Sequence, residues 1–495
     1  MTELGAILRV GVHVPKLRLA RTTIAAAMAW ANSPGRAAAR GARAICNWDE
    51  DALTMAVQAA RSCLTPRAAA ASATAIANTS QDADCAAESI LFCSTTAPFA
   101  DRDDAVVLAA ALDFPDSTET LNLGASLRAG TSGLIHALRR TDRARTLLVA
   151  SDARLTRAGS PQEMTYGDAA VAMLLGPSSP TALATVLGTH TVSSDFVDHY
   201  RMSGASFDYA LEERWVRDES LLQLIPRAVS ALLSTAGLRA DAVRHFSLPT
   251  GAATAQRIAQ ICGLQTAQRE ERVLLECGDA GVALPLAMLA GALEAAAPGD
   301  FVIMIGIGQG VDAVLLRAEA GVRDSGRMLS EALGRSRDEP SYVRYLSHRS
   351  LLDIDFGMRA ERDQRTAHTV AYRKRGALNA FKGGRCERCG TVQFPQSRVC
   401  VNPECRATDT QVPHRLAESH GRVKSFTEDW QAYAARPPYL YGNVEFAEGG
   451  NLLMEFTDIE PGELKVNDAV RFVYRIKDED RARGFRRYFW KATTA

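Results

Sequence analysis

The sequence lacks several features that would assign it to a specialised class. No apolar run reaches about 18 residues, the length needed to cross a bilayer. Lys and Arg together number 57, as do Asp and Glu, so there is no basic excess to attract nucleic acid or an anionic membrane. The N-terminal residues also lack the charged-then-apolar layout of a secretory signal. We therefore expect a cytoplasmic protein that binds neither nucleic acid nor membranes.

Cysteine is too sparse for a disulfide framework, with ten in 495 residues, but four of the ten lie close together. These four are Cys386, Cys389, Cys400 and Cys405, in the pattern Cys-x2-Cys, ten residues, Cys-x4-Cys. Two such pairs can supply the tetrahedral set of four thiolates that Zn2+ prefers. Because all four positions are filled, we predict a structural zinc ion. The alternative is four unrelated buried cysteines.

The chain is too long for one ordinary core, and its character changes along its length. Up to about residue 318, short apolar runs such as Ser89–Ser94 alternate with helical patterns such as Asp51–Leu64, which predicts an α/β layered fold. Thr65–Ala87 is rich in Ala and Ser and is typical of a loose insertion. We predict an α/β domain over 1–318, a helical connecting arm over 319–375, a zinc ribbon over 376–410 and a small all-β unit over 411–495.

Several motifs resemble known proteins. The C-terminal part, with the run GGRCERCGTVQFP, resembles the zinc-ribbon and OB-fold domain that accompanies thiolase-like enzymes acting on acyl-CoA. The segments NWDEDALTMAVQAA, YGDAAVAMLLG and ALEAAAPGDFVIMIGIGQGVDA resemble hydroxymethylglutaryl-CoA synthase and its relatives in the thiolase superfamily. The resemblance implies a duplicated α-β-α-β-α fold and a coenzyme A thioester as substrate. It also implies a homodimer, and a further thiolase-like partner is conceivable.

The residues that carry the chemistry of this superfamily are absent from the expected positions. In LNLGASLRAGTSG the nucleophilic cysteine is replaced by Leu127, or by Ser126 with a shift of one residue. In FSLPTG the family's histidine position holds Ser247, with His245 two residues earlier. The family's asparagine becomes Asp279, and Thr96 stands near the position of the synthase's catalytic glutamate.

Each substituted residue has a functional and a structural interpretation. Ser126 is either a weak nucleophile or a helix cap. Asp279 is either a general acid or base, or one half of an ion pair, for which Arg128 is a candidate. His245 either polarises a thioester carbonyl or is hydrogen-bonded in the core. The glycines of 306–310 follow a strand, and we expect them to line the pocket rather than to bind a dinucleotide.

Three functions remain open on this evidence. The first is aldol-type or Claisen-type formation or cleavage of a carbon–carbon bond on acyl-CoA without a covalent acyl-enzyme, with Asp279 moving the proton. The second is an acyltransferase that uses Ser126 as its nucleophile. The third is a non-catalytic subunit that binds acyl-CoA or supports a thiolase-like partner.

Overall fold

The protein is described by a computed structural model that covers residues 4–31, 39–65, 86–140, 144–179, 181–323, 328–361 and 363–494. The predicted insertion Thr65–Ala87 lies almost entirely outside these ranges. The strands, in chain order, are β1 Gly5–His13, β2 Leu17–Ala20, β3 Ala42–Ile45, β4 Ser89–Cys93, β5 Glu119–Leu123, β6 Thr146–Asp152, β7 Ala169–Gly176, β8 Ala184–Ser193, β9 His199–Tyr200, β10 Tyr209–Ala210, β11 Val243–Ser247, β12 Phe301–Ile307, β13 Gly310–Ala318, β14 Arg337–Asp338, β15 Lys382–Cys386, β16 Val392–Gln393, β17 Gln411–Arg415, β18 Gly421–Asp429, β19 Tyr439–Phe446, β20 Asn451–Glu455, β21 Ala469–Asp480 and β22 Phe485–Thr494.

The helices that the text refers to are numbered in the same way. They are α1 Arg21–Ala27, α2 Ala52–Leu64, α3 Asp104–Leu112, α4 Ala129–Leu138, α5 Leu222–Ala236, α6 Ala252–Ile261, α7 Arg272–Glu276, α8 Leu284–Ala295, α9 Met328–Gly334, α10 Tyr342–His348, α11 His368–Arg373 and α12 Arg375–Leu378. None of the helices in the described ranges has both the length and the apolar character needed to cross a membrane.

The helix predicted over Asp51–Leu64 shows how local sequence sets an element. Asp51 caps it by accepting a hydrogen bond from the backbone N–H of Thr54 at 3.0 Å, and the Thr54 hydroxyl accepts one from the Asp51 N–H at 2.9 Å. The helix ends at Leu64, as predicted. Its buried residues occupy nearly every turn, so it is covered on more than one side.

Nine strands form one sheet with the order β11-β12-β13-β8-β1-β7-β6-β4-β5. Its two halves are joined by a short pairing of Gly5–Ile7 with Ala184–Val186. In β6, Leu148 packs into one apolar core and Leu147 into another, because successive side chains point to opposite faces. In β12, Val302 packs into the same core as Leu148, and Ile303 packs into a third core on the other face of the sheet.

The central core between the two half-sheets contains helices α4 and α8. Helices α2 and α3 cover the outer face of one half-sheet, and α5 and α6 cover the outer face of the other. Helix α8 is buried from Leu284 to Leu293, as a helix enclosed on all sides requires. The predicted five-layer thiolase-like α/β fold is therefore confirmed.

The C-terminal part contains two β units. Strands β18–β22 form a five-stranded sheet, and a bridge between Phe456 and Ala492 closes it into the predicted OB-type barrel. The zinc ribbon is the sheet β16-β15-β17. Strand β17 pairs with β15 through Gln411–Arg415, so the ribbon sheet reaches past residue 410, where the sequence placed its end. Apart from this strand, we propose the domain division that the sequence suggested.

A buried ionic network joins the OB barrel to the thiolase-like domain, and we call it the seam network. Arg475 on β21 contacts Asp458 at 2.8 Å and Glu50 at 3.1 Å, and lies 3.7 Å from Asp49. Lys491 on β22 contacts Asp49 at 3.0 Å. The side chains of Arg475 and Lys491 are almost wholly buried. The acidic residues of the NWDED run thus hold the barrel in place.

Glu455 is the peripheral carboxylate of the seam network and contacts Lys491 at 3.1 Å, Lys477 and the Tyr439 hydroxyl. Burial opposes its ionisation, but the charges of Lys491 and Lys477 outweigh burial and lower the pKa of Glu455 to about 2. A carboxyl group whose pKa is lower in the folded state than in the unfolded state stabilises the fold at pH values above its unfolded-state pKa. This stabilisation is lost as the pH falls through the folded-state pKa.

We predict that Glu455→Gln lowers the free energy of unfolding at pH 7, by up to about 3 kcal/mol for a pKa shift of this size. The difference from wild type should shrink as pH falls from about 4.5 towards 2, because the wild-type carboxylate then takes up a proton. Urea unfolding at a series of pH values measures it. The exposed Glu404→Gln should show no such pH-dependent difference. A Glu455→Gln effect that is constant across this range would contradict the assignment.

Candidate functional site

The nucleophile position lies where the loop after β5 enters the buried helix α4. Ala125 has a positive φ of 66°, an unusual conformation for a residue with a side chain. The Ser126 hydroxyl donates to the carbonyl of Gly308 at 3.3 Å and accepts from the N–H of Arg128 at 3.2 Å. The Ser126 hydroxyl is therefore bonded to the backbone just ahead of α4, whose N-cap residue is Arg128 and whose cap has no side-chain hydrogen bond. In the described residues, none of its hydrogen bonds involves a histidine.

The glycines of 306–310 form the turn between two antiparallel strands, β12 and β13. A dinucleotide-binding loop instead joins a strand to a helix, so that interpretation is excluded. A Cβ at Gly308 would lie 2.8 Å from the Ser126 Oγ, and one at Gly306 would lie 2.2 Å from the Thr131 Oγ1. Glycine is needed here because the turn packs directly on the start of α4.

Arg128 does not pair with Asp279, and this expectation was wrong. Its guanidinium lies 3.5 Å from Asp312, a buried aspartate of β13. Asp312 also accepts hydrogen bonds from Thr131, Ser132 and Thr191 at 2.7–2.9 Å. Asp312 therefore ties α4 to the second half-sheet.

Asp279 pairs with Arg154 instead. The Arg154 guanidinium lies 3.4 Å from Asp279 and 2.6 Å from Asp208, contacts the Tyr166 hydroxyl, and stacks 3.5 Å from the Tyr166 ring centre. Burial by itself would lower the pKa of Arg154, but the negative charge of Asp279 and its neighbours outweighs burial and raises that pKa. The guanidinium therefore stays charged. The other Asp279 oxygen accepts from the Gly281 N–H at 2.9 Å. The Asp279 side chain is 29% exposed and that of Arg154 4%, so the carboxylate is the more accessible partner.

Thr96 is hydrogen-bonded to a further aspartate, Asp152, which lies next to the Arg154 cluster. The Asp152 carboxylate accepts from the hydroxyl and N–H of Thr96, the hydroxyl and N–H of Thr95, the Ser94 hydroxyl and the Val282 N–H, at 2.8–3.1 Å. Burial raises the pKa of Asp152. Since Val282 is three residues from Asp279, the structure brings Thr96 and Asp279 into one region, and the Thr96 hydroxyl is already bonded there.

The structure does not bring His245 to the start of α4. Its Nε2 lies 3.3 Å from Asp300, which precedes β12, whereas Ser126 contacts the turn after β12. Because the seven-residue strand β12 lies between these two contacts, His245 and Ser126 are roughly 20 Å apart. Ser247 is fully buried at the end of β11, and its hydroxyl has no hydrogen-bond partner in the described part of the chain.

Sequence reasoning missed the four charged residues that organise this region, namely Asp152, Arg154, Asp208 and Asp312. A signal was present for two of them, since Asp152 is the last residue of the buried strand β6 and Arg154 lies two residues beyond it, where polar residues often line a site. Asp208 lies directly before β10 in the separate hairpin β9–β10, and no local sequence pattern indicates that it belongs to the site.

The metal site agrees with its prediction. The ligand atoms of Cys386, Cys389, Cys400 and Cys405 all lie within 4.8 Å of one another. Cys386 and Cys405 Sγ are 3.9 Å apart, and Cys389 and Cys400 Sγ 3.6 Å. A tetrahedron with Zn–S bonds of about 2.3 Å has edges of about 3.8 Å, so the donors fit zinc. The positive φ of Gly390, 77°, forms the turn of the first pair.

Comparison with known proteins agrees with both parts of the fold. Residues 373–411 match the family model described as ChsH2, rubredoxin-like zinc ribbon domain, and residues 414–475 match ChsH2, C-terminal OB-fold domain. A DUF35 domain-containing scaffold protein of Methanothermobacter thermautotrophicus is 29% identical over 115 residues, which cover 22% of this chain and 82% of the relative.

The N-terminal part is similar to a hydroxymethylglutaryl-CoA synthase of Aeropyrum pernix, with 25% identity over 359 residues that cover 71% of this chain and 92% of the relative. A crystal structure of HMG-CoA synthase complexed with CoA superposes with a TM-score of 0.59 and 14% identity, covering 84% of this chain and all of that one. The resemblance predicted from the sequence is thus confirmed as a synthase-like thiolase fold followed by a zinc ribbon and an OB-fold.

We predict about one zinc ion per chain, with the ribbon unfolding when it is lost, because metal binding supplies the folding energy of such a small unit. Elemental analysis of the purified chain should find the metal, and the double variant Cys386→Ser/Cys389→Ser should lack it. Cys262→Ser, which changes a cysteine outside the cluster, is the control and should retain full zinc content. Wild-type protein free of zinc would contradict the assignment.

Proposed function

We propose that this chain is a non-catalytic, acyl-CoA-associated subunit of a thiolase-like assembly that forms or breaks carbon–carbon bonds. The reacting cysteine would come from a partner chain. The similarity to hydroxymethylglutaryl-CoA synthase supports the acyl-CoA part of the proposal, and the similarity to a scaffold protein supports the subunit part.

The observation that carries the proposal is that Leu127 and Ser126 occupy the nucleophile position and that the Ser126 hydroxyl is hydrogen-bonded to the backbone. A covalent mechanism needs a nucleophile with a base beside it. Leu127 offers no nucleophilic atom, and the Ser126 hydroxyl is engaged with Gly308 and Arg128. His245 is bonded to Asp300 at the other end of β12. No step that acylates this chain can be built from these contacts.

One observation favours a second candidate, the aldol-type reaction without a covalent intermediate. Asp279 replaces the family's amide with a carboxylate and is part-exposed beside the fixed positive charge of Arg154. A carboxylate in this position could accept a proton from a substrate, and the adjacent guanidinium could stabilise the enolate that results. The ion pair with Arg154 also supports a structural role for Asp279, and we therefore rank this candidate second.

The partner would bind at strand β5, the edge of the nine-stranded sheet that carries the nucleophile position. Its sequence ETLNL has three exposed residues, among them Leu121 at 44% exposure. An uncovered edge strand is a template for pairing with another chain. The opposite edge, β11, is already capped, since Phe246 N–H donates to Gln268 and Gln268 N–H donates to Arg244. We propose a two-fold dimer or a heterodimer with a thiolase-like partner through β5.

We expect the purified chain to be at least a dimer at micromolar concentration, because a free β5 edge with an exposed leucine favours association. Sedimentation velocity measures this. Leu121→Lys should shift the species towards monomer, and Val466→Lys, at an exposed valine outside the strands, should not. A stable 53.3 kDa monomer for wild type would contradict homodimer formation. If Leu121→Lys stayed as dimeric as Val466→Lys, the assignment of the interface to β5 would be contradicted.

Incubation with acetyl-CoA or acetoacetyl-CoA should leave the intact mass of the purified chain unchanged and should form no product. We expect this because, in the described part of the chain, Ser126 at the entrance to α4 has no histidine or carboxylate hydrogen-bonded to its hydroxyl. Mass spectrometry of the intact chain measures the first quantity, and chromatography of the CoA thioesters with mass detection measures the second, because an aldol-type step leaves the thioester intact and releases no free thiol.

Ser126→Ala and Asp279→Asn separate the alternatives. Both variants should bind CoA like wild type. An acyl adduct mapped to Ser126 would contradict the proposal in favour of an acyltransferase. Product formation without an adduct, lost in Asp279→Asn and kept in Ser126→Ala, would contradict it in favour of the aldol-type reaction.

A further inference from the structure

A small cleft lies at the seam between the thiolase-like domain and the OB barrel. The end of β1, helix α9 and strand β21 line it. Three basic side chains line it, namely Lys16 from the loop between β1 and β2, Arg335 directly after α9, and Arg471 on β21, together with the amide of Gln58 from α2. Neither the thiolase-like chemistry nor the zinc site uses this cleft.

The carboxylates of the cleft are already neutralised by other groups. Glu50 contacts Arg475 and, at 3.2 Å, the imidazole of His13. Asp458 contacts Arg475 and accepts from the Asn47 amide at 3.1 Å. These acids and Arg475 belong to the seam network, so Asp458 is shared between Arg475 and the outer cations Lys16 and Arg471, which it attracts without direct contact.

The outer cations are poorly compensated. Within the described residues, Lys16 and Arg471 form no ion pair closer than 4 Å, and Arg335 pairs only along its own helix with Glu331. Burial, together with the nearby charges of Arg61 and Arg335, lowers the pKa of Arg471 to about 10. Burial also lowers the pKa of Lys16, against the attraction of Asp458. Arg61 itself is occupied by Glu418 and by the carbonyls of Phe472 and Ala417.

We propose that this cleft binds a phosphate group, held by Lys16, Arg335 and Arg471. A guanidinium presents parallel N–H donors that match phosphate oxygens, and an ammonium adds a compact charge. A bound dianion would relieve the repulsion among the three cations. The small size of the cleft suits one tetrahedral group, which could be inorganic phosphate or the terminal phosphate of a nucleotide.

Isothermal titration calorimetry of the full chain tests the proposal with two probes, sodium phosphate and adenosine 3′,5′-bisphosphate, at constant ionic strength set with chloride. We expect wild type to bind at least one of them. Arg471→Gln and Lys16→Gln should each weaken that binding about tenfold or more, the scale of one charge-assisted hydrogen bond. Arg481→Gln, at an exposed arginine of the same barrel, is the control and should bind like wild type.

The two probes identify the source of the phosphate. Tighter binding of the bisphosphate, with competition by CoA, would assign the cleft to a nucleotide phosphate, whereas equal or tighter binding of phosphate alone would assign it to the free anion. Without ligand, Arg471→Gln should be as stable to urea as wild type or more so, because it removes repulsion rather than an ion pair. No binding of either probe by wild type, or equal binding by wild type and Arg471→Gln, would overturn the proposal.

Discussion

Burial of the Arg475 guanidinium is the constraint on which the arrangement of the domains depends. A charge removed from water is tolerable only when it is paired, and Arg475 finds its carboxylates on two segments far apart in the chain, at 49–50 and at 458. The barrel can therefore take only the orientation that brings these groups together. Hydrophobic packing alone would be less directional, since an apolar face tolerates sliding.

The same short run serves both domains. Asp49 and Glu50 reach into the barrel, while Asp51 caps helix α2, which covers the outer face of the first half-sheet, and accepts from the Tyr488 hydroxyl of β22 at 2.8 Å. One apolar core continues from this helix into the barrel and includes Trp490. The zinc ribbon is joined to that barrel, so its position is fixed through the same seam.

The interior around the start of α4 likewise pairs its buried charges with donors or with opposite charges. Asp312, Asp152 and Arg154 are buried, and each is surrounded by donors or by opposite charge. In a working active site some polar groups stay available for substrate, at a cost in stability. Here the carboxylates of Asp312 and Asp152 accept hydrogen bonds from donors of the chain itself, which stabilises the buried charges.

The sequence alone determined the elements whose cause is local. Ligand spacing in Cys386–Cys405 fixed the zinc site, because four thiolates and two tight turns suffice for a tetrahedral shell. Asp51 with Thr54 fixed the start of α2, and alternation of strand and helix fixed the layered class. The motif positions also indicated which residues to compare with the catalytic residues of the relatives. The tertiary structure decided the partners of the charged residues at the candidate site and at the seam between the domains. Asp279 faces Arg154 rather than Arg128, His245 faces Asp300, and Arg475 joins two domains, since ion pairs between distant segments depend on how the chain folds back and leave no periodic trace in the sequence.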